Sequence, residues 1–210
     1  MEKEFLTLTS VACHACVEAI DLIDDPSAWD GVHNSGRCVA YNKKVHPIDA
    51  YKVEGFIEKS PKQVIDYIYE NWSELHCDMG SLILSSNTVR TYNSNARLIS
   101  EITNFYPAEQ PREILNFITR FELTDGAWAM GITNAEDYAH IPQSRYQRGN
   151  LKQGIHLARP IFNNKSMTHF IGMQFFDPKV DIPQDVSNEI NNIRYLFYQR
   201  LISRIQTHIE

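Results

Sequence analysis

Three places in this chain carry side chains that could do covalent or metal chemistry. Cys13-His14-Ala15-Cys16 holds a Cys-x-x-Cys, the spacing of a redox dithiol or of half a zinc site. No second pair lies nearby, and the cysteines fall in a segment with helical apolar spacing, so core packing accounts for them better than a metal. His76-Cys77 sets a thiol beside an imidazole, but adjacency in sequence does not supply the spatial Cys–His geometry that a nucleophile needs. His156 stands alone in a strand-like run, where an imidazole is more often structural or exposed than functional. The chain has neither a Gly-x-Ser-x-Gly elbow nor a glycine loop that would cradle phosphate. Without a convincing catalytic motif, an apolar cavity becomes the leading functional expectation.

Such a cavity needs elements to enclose it, and the stretch from Pro111 to Pro183 supplies them. It runs PREILNFITRF, GAWAMGITN, an IPQSRYQRG turn into LKQGIHLARPIF, then MTHFIGMQFFDPKVDIP, apolar or alternating runs bounded by Pro, Gly, Asn or Asp that read as strands. A long helix follows. From Pro183, Val186, Ile190, Ile193, Phe197, Leu201, Ile205 and Ile209 recur at spacings of three and four, with Leu196 and Ile202 widening the stripe. A curved sheet could grip that face and leave a cavity between.

The first half reads in the same way. Phe5, Leu8, Ala12, Ala15, Ala19 and Ile23 form one stripe of an opening helix that stops at Asp24-Asp25-Pro26. GRCVAYNK and AYKVEGFIE predict two strands. Ser60 is a good N-cap with Pro61 at the first helical position, so a helix follows there. Leu82 to Tyr92 and Ala96 to Phe105 predict strands joined at Asn93-Ser94-Asn95.

Composition bounds the function. The 210 residues are 43% hydrophobic and no linker divides them, which predicts one domain over 1–210. A net charge of −6 and a pI near 5.7 argue against nucleic acid as a partner. Arg194, Arg200 and Arg204 on the last helix read as a solvated face. The acids of MEKEFLTLTS oppose a secretory signal, and no uninterrupted apolar stretch of about 20 residues suggests a membrane span. Cys13, Cys16, Cys38 and Cys77 form no disulfide framework. A soluble, cytoplasmic protein without cofactor or metal is expected.

The order of residues from Pro111 onward resembles the steroidogenic-acute-regulatory-protein-related lipid-transfer (START) family. Pro111-Arg112-Glu113-Ile114 matches the family's Pro-Arg-acid-apolar strand opening, Ile141-Pro142 followed by Arg148-Gly149 its later Pro and Arg pattern, and Asp177-Pro178-Lys179 with Ile182-Pro183 its approach to the last helix. The layout of the earlier half fits across the whole chain with fewer diagnostic residues. The resemblance implies an α+β helix-grip fold, a curved antiparallel sheet wrapped around the C-terminal helix, with an internal apolar tunnel for one lipid. Residues 104–110, the loop 136–144 and the C-terminal helix would be its lids.

Family members commonly place an acid and an arginine inside the tunnel, and Glu101 and Arg120 are the candidates here. Arg120 stands two residues beyond the usual spacing, with Ile118 nearer, yet a strand period of two leaves both on one face. An inward Arg120 would need Glu101, a lipid phosphate or water as partner. Further lining candidates are Trp128, Met130, Leu151, His156, Met173, Phe175, Ile193 and Phe197. Alternation does not choose between Trp128-Met130-Ile132 and Ala129-Gly131 as the inward face.

The expected function is binding and transfer of one lipid at a time, without catalysis and with transient membrane contact. Phospholipid is favoured over sterol because aromatic side chains are available to a choline-sized cation. A lipid sensor acting through a protein partner, itself unidentified, and a thioesterase- or cyclase-like enzyme using Glu101 or His156 stay open as alternatives.

Overall fold

The computed structural model describes residues 2–209 other than 26, 28, 46–47, 79–81, 105–109, 143, 163 and 178–183. Helix α1 (Glu2–Asp24) is followed by β1 (Asp30–Asn34), β2 (Cys38–Val45) and β3 (Ile48–Ile57). Next come α2 (Pro61–Glu70), α3 (Trp72–Asp78), β4 (Ile83–Asn93), β5 (Ala96–Thr103), β6 (Arg112–Glu122) and β7 (Trp128–Asn134). The two-residue β8 (Gln147–Arg148), β9 (Asn150–Ile161), β10 (Asn164–Asp177) and α4 (Gln184–His208) complete the order.

Local chemistry starts and stops these elements where the sequence predicts. Ser60 accepts from the Gln63 backbone N–H while the Gln63 side chain accepts from the Ser60 N–H, a reciprocal capping box ahead of Pro61. The β4–β5 hairpin turns at Ser94-Asn95, with Asn93 Oδ1 accepting from Asn95 N at 2.8 Å.

The strands form one ten-stranded sheet in the order β1-β2-β3-β10-β9-β7-β6-β5-β4, antiparallel throughout except where β8 runs parallel beside β6. Both faces are covered. On one, α1 buries Leu8, Ala12, Cys16, Ala19 and Ile23 against residues such as Ala129, Leu157, Ile171, Leu115 and Phe117. On the other, α2 and α4 pack over Val53, Ile118, Met130, Ile132 and Phe170. Val186, Ile190, Phe197, Leu201 and Ile205 of the α4 stripe are buried, each large side chain contributing about 1.5–3 kcal/mol. Leu196 does not widen the stripe, because it is exposed.

Two glycines mark where helices press onto the sheet. A Cβ at Gly131 would lie 2.3 Å from Cys16 Sγ, and one at Gly172 would lie 2.2 Å from Tyr198 Cε1. The first contact explains the Cys-x-x-Cys: Cys16 fills the space over Gly131 and burial pushes its thiol up to about 12, while Cys13 is exposed. Among the described residues no group of three His, Cys, Asp or Glu could hold a metal. One expectation changes: α1 is long and apolar enough, by length and composition, to cross a membrane. The sequence reading sought an unbroken apolar run, whereas α1 reaches that hydropathy through a mixed one, and its buried stripe docks on the sheet.

Candidate functional site

A cavity lies between the inner face of the sheet and α4. It spans about 690 Å³ of non-atom space, part of it open to solvent. Helix α4 contributes Ile193, Arg194, Phe197 and Tyr198, and α3 contributes Trp72 and His76. From the sheet come Glu101, Thr103, Ile114, Asn116, Ile132 and Gln174, with Leu82 and Ile83 at the start of β4. A groove between Leu82 and the α4 residues Val186, Glu189, Ile190 and Ile193 adjoins it through the shared Leu82 and Ile193.

Register explains the polar part of the wall. Glu101 on β5 stands opposite Ile114 on β6, and Asn116 is two residues further along the same face. The Glu101 carboxyl accepts from Trp72 Nε1 at 2.7 Å and Ser86 Oγ at 3.2 Å on one oxygen, and from Asn116 Nδ2 at 3.0 Å on the other. Three donors therefore fix an acid that is 2% exposed. Asn116 Oδ1, by contrast, is buried and accepts from nothing.

Rings form the rest of the wall. His76 stacks between Trp72, at 3.9 Å, and Phe197, at 4.9 Å, and its Nδ1 donates to the Trp72 carbonyl at 2.9 Å. Behind them, His156 is fully buried and shares a 3.2 Å hydrogen bond between Nε2 and the Tyr198 hydroxyl. Burial, reinforced by nearby His76, pushes His156 down to about 3, so it is neutral at pH 7, and burial alone also lowers His76. Burial raises the Tyr198 and Tyr51 hydroxyls, while Arg194 opposes the rise in both.

The structure divides the sequence candidates. Ile193 and Phe197 line the cavity, as does Glu101. Met130 is buried in the apolar core on the α2 and α4 side and not in the cavity wall, while Trp128 packs partly buried against that core with Lys62 over its ring at 5.0 Å. His156 lies one layer behind the wall. The side chain of Leu151, on β9, falls outside the described residues.

Three candidates are corrected. Arg120 is on the inner face but at its far end, where its Nη1 donates to Asp66 at 2.8 Å and Glu70 at 3.3 Å across the Tyr69 ring. Met173 packs with Ile171 against α1, and Phe175 shares their parity on β10. The inward residues of that strand are Phe170, Gly172 and Gln174, because Gly172 is what lets Tyr198 approach. The candidates Met173 and Phe175 belong to the other parity, which alternation alone did not tell apart.

Arg194 is the main residue the sequence reading missed. It was assigned to a solvated face, yet Ile190, Arg194 and Tyr198 step by four along α4 and share the inward stripe. That spacing was a readable signal. Of the expected lids, residues 105–109 lie outside the described residues. In the 136–144 segment, Ala139 and Ile141 pack with Leu8, Ala12 and Phe117 on the α1 side.

No family model matches the sequence, and no curated protein sequence matches it either. Solved structures do resemble it. Human StAR-related lipid transfer protein 5 superposes with a TM-score of 0.76 at 13% identity, covering 97% of this chain and 99% of that one. A STAR-related lipid transfer protein fragment from Xanthomonas axonopodis gives 0.69 at 12% identity, covering 86% and 100%. The lipid transfer and protein localization domain of human StarD13 gives 0.65 at 13% identity, covering 91% and 96%.

Proposed function

We propose that this chain, which has the helix-grip fold of the START lipid-transfer domains, binds one lipid in the cavity beneath α4 and carries it between membranes without covalent chemistry. The cavity carries the proposal: aromatic and aliphatic walls, a few fixed polar groups and an apolar groove leading out past Leu82 and Ile193. Each CH₂ moved from water into such walls gains about 0.8 kcal/mol, so a container of this kind holds an amphiphile that the aqueous phase rejects. Passage in and out requires α4 to move near Leu82 and Ile193, which line both cavity and groove.

A phospholipid is the favoured ligand, with Arg194 available to its phosphate and the Trp72, Phe197 and Tyr198 rings to its neighbours; a sterol is the second choice. The carrier works at membrane surfaces inside the cell, touching them transiently. Native mass spectrometry of the purified protein, followed by transfer of the recovered lipid between liposomes, tests this. A stoichiometric adduct that exchanges between liposomes is expected. Tight retention without exchange would favour a sensor, and turnover of the bound molecule an enzyme.

A further inference from the structure

Inside an apolar cavity a positive charge needs a counter-charge, and Arg194 has none among the described residues. Its guanidinium lines the cavity and meets no Asp or Glu oxygen within 4.0 Å among the described residues; its hydrogen bond is a long one, 3.5 Å, to Asn191 Oδ1. Glu101, the carboxyl in the same wall, is already engaged by Trp72, Ser86 and Asn116. The groups within electrostatic range of Arg194 are the hydroxyls of Tyr51 and Tyr198. Tyr51 is 1% exposed, and its hydroxyl oxygen is buried with no hydrogen-bond partner. Register places Tyr51 opposite Gln174, itself in the cavity wall.

A guanidinium with a long hydrogen bond to Asn191, within electrostatic range of an unsatisfied buried hydroxyl, is costly in an empty protein, because neither group fully replaces the water it loses. A ligand oxyanion would answer both. A carboxylate or phosphate accepts two parallel N–H bonds from the guanidinium and a further O–H bond from tyrosine, the strong charge-assisted arrangement. The chain supplies donors there and a carboxyl already saturated elsewhere, so the complementary ligand is anionic at this end.

We infer that Arg194, with the Tyr51 hydroxyl, forms the headgroup subsite, and that the ligand is an amphiphile carrying an oxyanion, a phosphate or a carboxylate. This rests on the carrier reading and narrows it. An uncharged lipid would leave Arg194 uncompensated. The ring system of α3 and α4 then faces the part of the ligand next to that oxyanion.

Two matched pairs test the inference, each titrated against the full chain by native mass spectrometry. Oleoyl-lysophosphatidate and monoolein differ by a phosphate, and oleate and oleyl alcohol differ by a carboxylate. The charged member of at least one pair is expected to bind ten times or more tighter, and the pair that shows the preference identifies phosphate or carboxylate as the group. Arg194→Met should reduce that preference to twofold or less while uncharged binding persists. Equal binding within both pairs overturns the subsite and leaves the carrier reading standing. An undiminished preference in folded Arg194→Met also overturns it. Should that variant fail to fold, Tyr51→Phe, which removes only the hydroxyl, must lower the charged member's affinity at least threefold, and no change overturns the subsite. Failure of all four probes to bind overturns the carrier reading together with it.

Discussion

Glu101 and Arg120 face the same side of the sheet and never meet. Glu101 stands opposite Ile114, and Arg120 lies six residues further along β6, about 20 Å away at the rise of a strand. Helix α2 covers that end, and its Asp66 and Glu70 take the guanidinium. An acid–arginine pair across the cavity is therefore absent, and the interior cation comes from α4 instead.

Arg120→Leu should accordingly act on stability and not on ligand. Loss of its contacts to α2 costs about 1 kcal/mol, since Asp66 keeps Lys62 as a partner and Glu70 is exposed. Urea denaturation should show that loss while lipid affinity stays within twofold of the parent. A tenfold loss of affinity in the folded variant would return Arg120 to the site.

Arg148 and Glu113 form a buried ion pair on the opposite face. Arg148 Nε donates to Glu113 Oε2 at 3.3 Å and Nη2 donates to the carbonyls of Ile141 and Pro142 at 3.1 and 3.2 Å, while Ser100 and the Ser144 N–H supply Glu113 with further donors. These contacts hold Glu113 below the usual glutamate range despite its burial. Arg148→Met leaves the carboxylate unpaired and should cost about 3 kcal/mol or more. Hydrogen exchange should rise in the segment from Ala139 to Ser144 before it rises in β9. Unchanged protection there would show that apolar packing, not the pair, anchors the segment.

Gly172→Ala should destabilise by about 1–3 kcal/mol, because its methyl would enter the Tyr198 ring. Pairing it with Tyr198→Leu should give a double-mutant cycle with a smaller loss than the sum of the two singles. Strict additivity would mean that α4 shifts to accept the methyl without using the ring.

His156 gives a pH dependence of fixed sign. Its folded pKa, about 3, lies below the unfolded value near 6.5, so between these the unfolded chain binds the extra proton. Stability from this group is complete above about pH 6.5 and falls as pH drops toward 3, by up to about 1.4 kcal/mol per pH unit. His76, also lowered, adds in the same direction. Denaturation from pH 7.5 to 5 should show a shallower slope in His156→Leu than in the parent. Parallel slopes would assign the acid sensitivity to other groups.

Much of this was legible in the sequence. The stripe Val186-Ile190-Phe197-Leu201-Ile205, the N-cap at Ser60 and the bounded apolar runs of β6, β9 and β10 are local signals, and each produced its element because periodicity and caps act within one segment. The family resemblance carried by the motifs from Pro111 onward then implied a sheet gripping its last helix. Glu101 was a candidate interior acid only through the family resemblance, and its three donors, one of them Trp72 from α3, lie 15 to 29 residues away and had no local mark.

Only the tertiary structure decided which parity of each strand looks into the cavity. A period of two divides a strand into two faces, and polarity normally tells which is inside. Here α1 covers one face and α2 with α4 the other, so both faces are apolar and the sequence of β10 offers Ile171-Met173-Phe175 and Phe170-Gly172-Gln174 as equals. The close approach of Tyr198 over Gly172 settles that choice, and the same docking of α4 carries Arg194 from an expected solvent face into the wall of the cavity.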